Sequence, residues 1–203
     1  LAVAGVVARA RKQELVVGSD SLVQWNIVGE QQFPQIITLG HFFQTNLHVC
    51  RQMQAWAAKH SSGGDLLELC CGNGNFTLPL AGGFARVIAA ERDKVSVANA
   101  RRCAQMVGVD NIAFVRLKLK EVVEAFSPGA RSFRRLTDAG IDAADFDFGT
   151  VFANPPRSGL DTGSLGLLGR ADRCMYFSCS PRTLARDLRR LPSHRVVAAA
   201  LFD

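Results

Sequence analysis

Short apolar segments alternate with helical segments along most of the chain, and this alternation limits the possible folds more than any other feature of the sequence. The apolar segments are residues 65–69, 86–90, 112–116, 149–153, 174–178 and 195–201, and helical segments follow Asn75, Lys94, Lys120, Asp161 and Pro181. Continuous apolar strands are buried on both faces, and helices between them form parallel crossovers. The pattern predicts an α/β fold with a doubly wound, mostly parallel sheet, in which ligands bind beyond the carboxyl ends of the strands.

The first 43 residues follow a different pattern. Residues 14–17 and 22–28 are short β-prone segments separated by Gly18-Ser19-Asp20-Ser21, which predicts a β-hairpin. Apolar positions in residues 44–60 recur mostly at spacings of three and four, which predicts a helix. We therefore divide the chain into an N-terminal β-hairpin segment, residues 1–43, and a main domain, residues 44–203. Because the chain begins with Leu1 rather than Met and ends directly after a strand-like segment, we expect both parts to be pieces of longer regions.

The charge of the chain favours a polyanionic partner. The chain of 203 residues carries a net charge of +6. Its arginines cluster at Arg131, Arg134 and Arg135, and again at Arg182, Arg186, Arg189, Arg190 and Arg195. Cationic side chains gain affinity for RNA by releasing condensed counterions, so RNA is the first partner predicted, and a solvated arginine-rich surface is the alternative. No apolar run reaches the roughly 18 residues of a membrane span, so no membrane partner is predicted.

The six cysteines show no Cys-x-x-Cys pair and no ligand spacing with the four histidines. The sequence therefore predicts no metal site and no disulfide framework. Unpaired thiols suit a reducing compartment, which favours the cytoplasm, with the mitochondrion as the alternative.

The first candidate site is the segment DLLELCCGNGNF at residues 65–76, a strand that leads into a glycine-rich turn and a helix. Gly72 and Gly74 allow a tight turn and a close approach of a ligand to the backbone. The third glycine of the dinucleotide motif is absent. Glu91 ends the next apolar segment, where a carboxylate can bind ribose hydroxyls. Together these features favour S-adenosylmethionine, and a plain strand–helix turn with an exposed glutamate is the alternative.

The second candidate site is NPPRSGLD at residues 154–161, again at the end of an apolar segment. Two prolines fix the backbone and remove N–H donors, so Asn154 is expected to present its side chain at the end of the sheet, where a flat substrate could bind. An aromatic residue after Asn-Pro-Pro is typical of amino-methyltransferases, but Arg157 stands there. A simple turn is the alternative.

The third candidate is Cys179, within YFSCSPRTL at residues 176–184. A nucleophilic thiolate needs a lowered pKa, which a following helix N-terminus and Arg182 could help to supply. The alternative is a small buried cysteine in the core.

In order and spacing, these segments resemble the tRNA (uracil-5-)-methyltransferase family and its ribosomal RNA relatives. The matching segments are LLEL at residues 66–69, CGNGNF at 71–76, NPPRSGLD at 154–161, Ser178-Cys179 with Pro181 and Thr183-Leu184, FFQTN at 42–46 and ALFD at 200–203. The resemblance runs from about Gln13 to the last residue. It implies a sheet of the Rossmann-like class I methyltransferase type.

The resemblance also implies a reaction and a set of site residues. S-adenosylmethionine is the expected methyl donor, and C5 of a uridine is the expected acceptor, in tRNA or alternatively in rRNA. By residue-to-residue matching, Cys179 is the nucleophile that adds to C6 of the base. The positions expected at the cofactor or beside the base are Gln44, Cys70, Gly72, Asn75, Glu91 and Asn154.

The sequence departs from the family pattern at several of these positions. The family has Asp where Asn154 stands, an aromatic residue at Cys70 and Asn at Ser180. The family's general base is a glutamate that has no match in the printed residues. The alternative is therefore a degenerate relative that keeps the fold and a basic face, and acts as an RNA-binding or scaffolding component of an RNA–protein particle.

Overall fold

The computed structural model describes residues 5–11, 13–127, 129–130 and 133–203, so that Arg131 of the first arginine cluster lies outside the described residues. The strands are β1 Gly5–Ala10, β2 Gln13–Gly18, β3 Ser21–Val28, β4 Gln31–Thr38, β5 Asp65–Leu69, β6 Arg86–Glu91, β7 Ile112–Arg116, β8 Thr150–Ala153 and β9 Arg173–Tyr176. The helices are α1 Leu47–His60, α2 Thr77–Ala81, α3 Lys94–Val107, α4 Leu119–Ala125, α5 Arg134–Thr137, α6 Thr162–Leu168 and α7 Pro181–Leu188. No helix in these described ranges is long and apolar enough to cross a membrane.

Five parallel strands form the central sheet in the order β7-β6-β5-β8-β9. The chain starts at β5, moves outward to β7 and returns to β8 on the other side of β5. The strand order therefore reverses between β5 and β8, and such a reversal opens a crevice at the carboxyl ends of the two strands. This topology confirms the predicted doubly wound, mostly parallel sheet.

The core lies on both faces of this sheet because successive residues of a strand point to opposite sides. Leu66 of β5 and Phe152 of β8 belong to one buried cluster, which α1, α2 and α3 cover. Leu67 and Val151 belong to the other buried cluster, which α4 and α6 cover. Strands buried in this way must read as continuous apolar segments, which is why the sequence reveals them.

The N-terminal strands form two hairpins, so the predicted pairing of residues 14–17 with residues 22–28 is wrong. β1 pairs with β2, and β3 pairs with β4. Val28 lies opposite Gln31, so a two-residue loop joins β3 to β4, and Gly29 takes the positive φ of 61° that such a loop requires. Residues 18–21 connect the two hairpins instead of closing one.

The predicted strand at residues 195–201 is also wrong. In the described part of the chain these residues form no strand, and β9 is the edge of the sheet. Val196, Val197 and Leu201 are exposed. A strand needs a neighbour for its backbone N–H and C=O groups, and apolar composition alone does not supply one.

Candidate functional site

Four adjacent strands, β6, β5, β8 and β9, end side by side, so the residues that follow them lie in one row. Leu69 of β5 lies opposite Ala90 and Ala153, and Ala153 lies opposite Tyr176. The next residue on each strand therefore continues the row, and these residues are Glu91, Cys70, Asn154 and Phe177. Backbone hydrogen bonds extend past the strand ends, from Asn154 N to Leu69 O at 3.4 Å and from Phe177 N to Ala153 O at 2.9 Å.

The glycine-rich turn leaves the sheet at Cys70, which has a positive φ of 61° although it is not glycine. Sparsely populated backbone conformations of this kind are found more often at functional sites than elsewhere. Gly72 also has a positive φ, of 57°, and no atom lies within 4 Å of the place where its Cβ would be. The turn therefore has open space beside it. Burial raises the pKa of Cys70 to about 12, so this thiol is neutral at physiological pH.

Glu91 joins the turn to the end of β6 through three backbone donors. Its Oε2 accepts a hydrogen bond from Gly72 N at 3.2 Å, and its Oε1 accepts from Arg92 N at 2.7 Å and Asp93 N at 2.9 Å. An ionised carboxylate has about four acceptor positions. Oε2 of Glu91 therefore keeps one acceptor position for a ligand hydroxyl.

Glu68 lies on β5 two residues before Cys70, and only 1% of its surface is exposed. Burial raises the pKa of Glu68 to about 8, the neighbouring Thr77 opposes this rise, and the negative charge of Glu91 adds to it. Within the described residues, Oε2 of Glu68 has no hydrogen-bond partner. The sequence marks Glu68 as an acidic residue in the first strand of the sheet, but it gives no sign that the carboxyl is protonated at neutral pH.

The side chain of Asn75 belongs to an amide network that connects the turn with β4 and α1. Oδ1 of Asn75 accepts hydrogen bonds from Gln54 Nε2 at 2.9 Å, Gln35 Nε2 at 3.2 Å and Cys50 Sγ at 3.4 Å. Gln35 also donates to Oδ1 of Asn73 at 3.3 Å. Nδ2 of Asn75 donates one hydrogen to Cys50 Sγ at 3.2 Å, and a ligand contact of this side chain would use its other N–H.

Gln35 and Gln54 were not among the site residues predicted from the sequence. Both side chains are buried, and each hydrogen-bonds to Asn75 across a long stretch of sequence. The available signal was a glutamine inside the apolar segment FPQII of β4, because a buried amide must find hydrogen-bond partners.

The structure places Gln44 apart from this network. Gln44 is half-buried in the segment between β4 and α1, and its side chain makes no hydrogen bond to any described residue. Asn154 is half-buried directly after β8, next to the start of the turn. The structure therefore brings Cys70, Gly72, Glu91 and Asn154 together at one edge, and it does not connect Gln44 to them.

Cys179 lies at the same edge of the sheet, in the loop between β9 and α7, and its side chain is exposed. The alternative, a small buried core cysteine, is therefore wrong. Ser180 caps α7 by accepting a hydrogen bond from Thr183 N at 3.3 Å, and Pro181 occupies the first turn. Burial raises the pKa of the other five thiols, which belong to Cys50, Cys70, Cys71, Cys103 and Cys174. Cys179 is thus the thiol that a substrate could reach from solution.

A glycine-rich turn with a carboxylate on the neighbouring strand and an exposed cysteine at the same sheet edge is what the resemblance predicts. The family model of tRNA (uracil-5-)-methyltransferases matches residues 2–203. The chain belongs to this family. Among relatives, it is 44% identical to the tRNA/tmRNA (uracil-C(5))-methyltransferase of Neisseria meningitidis serogroup A over 98% of the chain and 55% of the relative. It is 43% identical to the protein of the same name from Teredinibacter turnerae, over 98% of the chain and 54% of the relative.

Solved structures confirm the fold of this uracil-5-methyltransferase family member. The tRNA (uracil-54, C5)-methyltransferase of Pyrococcus abyssi, solved with S-adenosyl-L-homocysteine, superimposes with a TM-score of 0.70 and 22% identity, over 95% of this chain and 45% of that one. Trm5b of the same organism gives a TM-score of 0.52 and 11% identity, over 92% and 52%. The sheet is thus of the Rossmann-like class I methyltransferase type. The chain spans about half the length of the relatives named here.

Proposed function

We propose that the chain is the catalytic domain of an RNA uracil-5-methyltransferase, which transfers a methyl group to C5 of a uridine. The observation that carries the proposal is the exposed Cys179 at the sheet edge that also holds the glycine-rich turn and Glu91. Family membership supports the reaction, and the names of the relatives support tRNA and tmRNA as the substrate class.

S-adenosylmethionine fits the residues of this edge. The open space beside Gly72 accepts a ligand close to the backbone, and the spare acceptor position of Glu91 Oε2 suits a ribose hydroxyl. When bound, this molecule supplies an electrophilic methyl group on a sulfonium. We assign its contacts at this edge to Cys70, Gly72, Asn75, Glu91 and Asn154. Matching to the family assigns a further contact to Gln44, which lies between β4 and α1, apart from these residues.

Cys179 makes the pyrimidine reactive. C5 of uracil is a weak nucleophile. Addition of the Cys179 thiolate to C6 forms an S–C6 bond and moves the electron pair of the C5=C6 bond toward O4, which turns C5 into an enolate carbon nucleophile. After methylation, a general base removes the proton from C5. The electron pair of that C–H bond restores the C5=C6 bond and expels the thiolate.

The surroundings of Cys179 suit an RNA substrate in a reducing compartment. Exposed arginines follow Cys179 on or directly after α7, namely Arg182, Arg186, Arg189 and Arg190. Cationic side chains next to the nucleophile attract the phosphate backbone that surrounds a target base. All six cysteines are unpaired, which supports the cytoplasm as the location.

Trapping the covalent adduct tests this proposal. The chain is incubated with S-adenosylmethionine and an RNA in which 5-fluorouridine replaces uridine. Fluorine at C5 cannot leave as a proton does, so the S–C6 bond persists and the complex survives a denaturing gel. We expect an adduct with the wild type and with Cys174→Ser, a half-buried thiol on β9, and none with Cys179→Ser. RNA binding without any adduct would contradict the proposal and favour the degenerate RNA-binding alternative.

A further inference from the structure

Asp187 of α7 is a fully buried carboxylate that the proposed reaction does not use, with 0% of its surface exposed. Its Oδ2 accepts hydrogen bonds from Tyr176 OH at 2.7 Å and from Leu160 N at 3.0 Å, and its Oδ1 accepts from Arg186 Nε at 2.8 Å. A buried charge is tolerated only when it is paired and hydrogen-bonded in this way. The carboxylate therefore links three parts of the molecule: β9, α7 and the loop at residues 154–161.

Although burial by itself raises the pKa of a carboxyl, the hydrogen bonds from Leu160, Tyr176 and Arg186 hold the pKa of Asp187 below its usual value. Burial raises the pKa of Tyr176, and the hydrogen bond to the carboxylate raises it further, so the phenol remains a donor at physiological pH. Asp187 is therefore charged, and its three donors remain attached at neutral pH.

Further side chains of α7 hold the same loop. Oγ1 of Thr183 donates to Arg157 O at 2.9 Å, and Nη2 of Arg186 donates to Ser158 O at 2.8 Å. Together with the bond from Leu160 to Asp187, these contacts attach the loop to α7 at several points. The loop begins at Asn154, and α7 begins directly after Cys179 and Ser180.

Gly159 shows how closely the loop approaches the helix. It has a positive φ of 76°, and a Cβ at this position would collide with Oδ2 of Asp187 and Cγ2 of Thr183. Glycine is therefore required here for its backbone conformation and for the space it leaves. The backbone of the loop at Gly159 therefore lies directly against the side chains of α7.

We propose that Asp187 is a positioning residue that fixes the loop of Asn154 and the helix after Cys179 as one rigid unit. This inference rests on the proposed function. Asp187 touches neither the nucleophile nor the place beside the glycine-rich turn. It sets the position of the nucleophile Cys179 relative to Asn154, one of the assigned cofactor contacts, and such placement contributes to rate through the geometry of attack.

Asp187→Asn tests the proposal because it keeps the size of the side chain and removes the charge and one acceptor oxygen. We expect the rate of adduct formation between Cys179 and 5-fluorouridine RNA to fall at least tenfold, while the Kd for S-adenosylmethionine changes less than twofold. The affinity is largely spared because Gly72 and Glu91 lie after other strands, and because Asn154, the assigned contact in the loop itself, is expected to contribute less than Glu91. Asp172→Asn is the matched control, since Asp172 is an exposed aspartate just before β9. A folded Asp187→Asn protein with an adduct rate within twofold of the wild type would overturn the proposal.

Thr183 provides a second variant in case Asp187→Asn does not fold. Thr183→Val keeps the shape and removes both the bond to Arg157 O and the bond from Ser180 Oγ, whereas Thr183→Ser keeps the hydroxyl. We expect Thr183→Val to slow adduct formation at least threefold and Thr183→Ser to restore it. Equal rates for the two variants would count against the proposal.

Hydrogen exchange of the Leu160 amide separates this inference from the proposed function, because it needs neither RNA nor cofactor. We expect Asp187→Asn to speed exchange at Leu160 at least tenfold, with no change for Asp172→Asn. If the wild type forms no adduct, the proposed function fails, whereas unchanged exchange at Leu160 refutes the rigid unit.

Discussion

Glu68 shows what a single buried carboxyl does to the pH dependence of stability. Burial raises its pKa to about 8 in the folded chain, above its ordinary value of 4.5. Between these two values the folded state holds a proton that the unfolded state has released. The free energy of unfolding therefore falls as the pH rises from about 4.5 to about 8, by up to about 1.4 kcal/mol per pH unit.

Glu68→Gln removes this contribution, because an amide does not titrate. We expect its free energy of unfolding to vary less between pH 5 and pH 8 than that of the wild type, as measured by urea denaturation at each pH. Glu30→Gln, an exposed glutamate in the β3–β4 loop, is the control and should follow the wild type. A Glu68→Gln curve as steep as the wild-type curve would show that the carboxyl does not titrate in this range.

Glu91 and Asn154 stand in the same row at the sheet edge, but they differ in what they offer a cofactor. Glu91 offers a charged acceptor that three backbone N–H groups already hold in place. We expect Glu91→Ala to weaken S-adenosylmethionine binding by about 1.5–3 kcal/mol, the range for hydrogen bonds to charged groups. We expect Asn154→Ala to weaken it less. Isothermal titration calorimetry on both variants measures the difference, and an equal loss would undermine the assignment of Glu91 to the ribose.

At the scale of elements, the β3–β4 hairpin supports the glycine-rich turn through Gln35. Gln35→Leu removes the donor to Asn73 and Asn75 and leaves buried amide oxygens with fewer partners. We expect a loss of about 1–3 kcal/mol in the free energy of unfolding and a weaker affinity for S-adenosylmethionine. Gln32→Leu, an exposed position on the same strand, is the control. If the two variants lose equally, the network has no role in holding the turn.

The central strands could be predicted from the sequence, and the N-terminal pairing could not, for one physical reason. A strand buried on both faces is apolar along most of its length, so β5 and β8 can each be recognised from their own residues alone. The pairing of a strand depends on a second segment. Residues 22–28 were predicted as a strand, but their partner β4 contains Pro34 and buried Gln35, which hide its strand character. The strand predicted at residues 195–201 is wrong for the opposite reason: these residues are apolar, but they have no partner strand among the described residues.

The residues of the site also fall into those that could be predicted from the sequence and those that could not. Glu91, Asn154 and Cys179 could be predicted because each follows an apolar strand, and parallel strands bring their carboxyl ends to one edge. Asp187 and Gln35 could not be predicted, because their roles depend on contacts between residues that are distant in the sequence. Local patterns identify the groups that face a ligand, whereas the groups that hold them in place appear only in the folded chain.

At the scale of the whole molecule, the net charge of +6 is unevenly distributed. A set of exposed arginines follows Cys179 on and after α7, at the sheet edge where the base must bind. Arg186 bonds to Ser158 O and to the carboxylate of Asp187. The other three arginines make no hydrogen bond to that carboxylate, although one of them, Arg190, donates to Thr162 Oγ1. These three are Arg182, Arg189 and Arg190. Placed next to the nucleophile, they would neutralise phosphates on either side of the target uridine.

We therefore expect that replacing these three arginines with alanine lowers the affinity for RNA and also makes that affinity less dependent on salt. Each phosphate contact with a single strand contributes a slope of about −0.7 in a plot of log K against log salt, so a loss of three contacts makes the slope shallower by about 2. Fluorescence anisotropy with a labelled uridine-containing RNA between about 50 and 200 mM salt measures both quantities.

The control triple variant also removes three positive charges, from exposed residues of other helices. These control residues are Lys59, Arg102 and Lys120. Coulomb attraction at about 0.1 M salt is screened beyond about 10 Å, so we expect charges on helices other than α7 to contribute less. If both triple variants lose the same affinity and slope, RNA responds to the total charge rather than to the face beside Cys179.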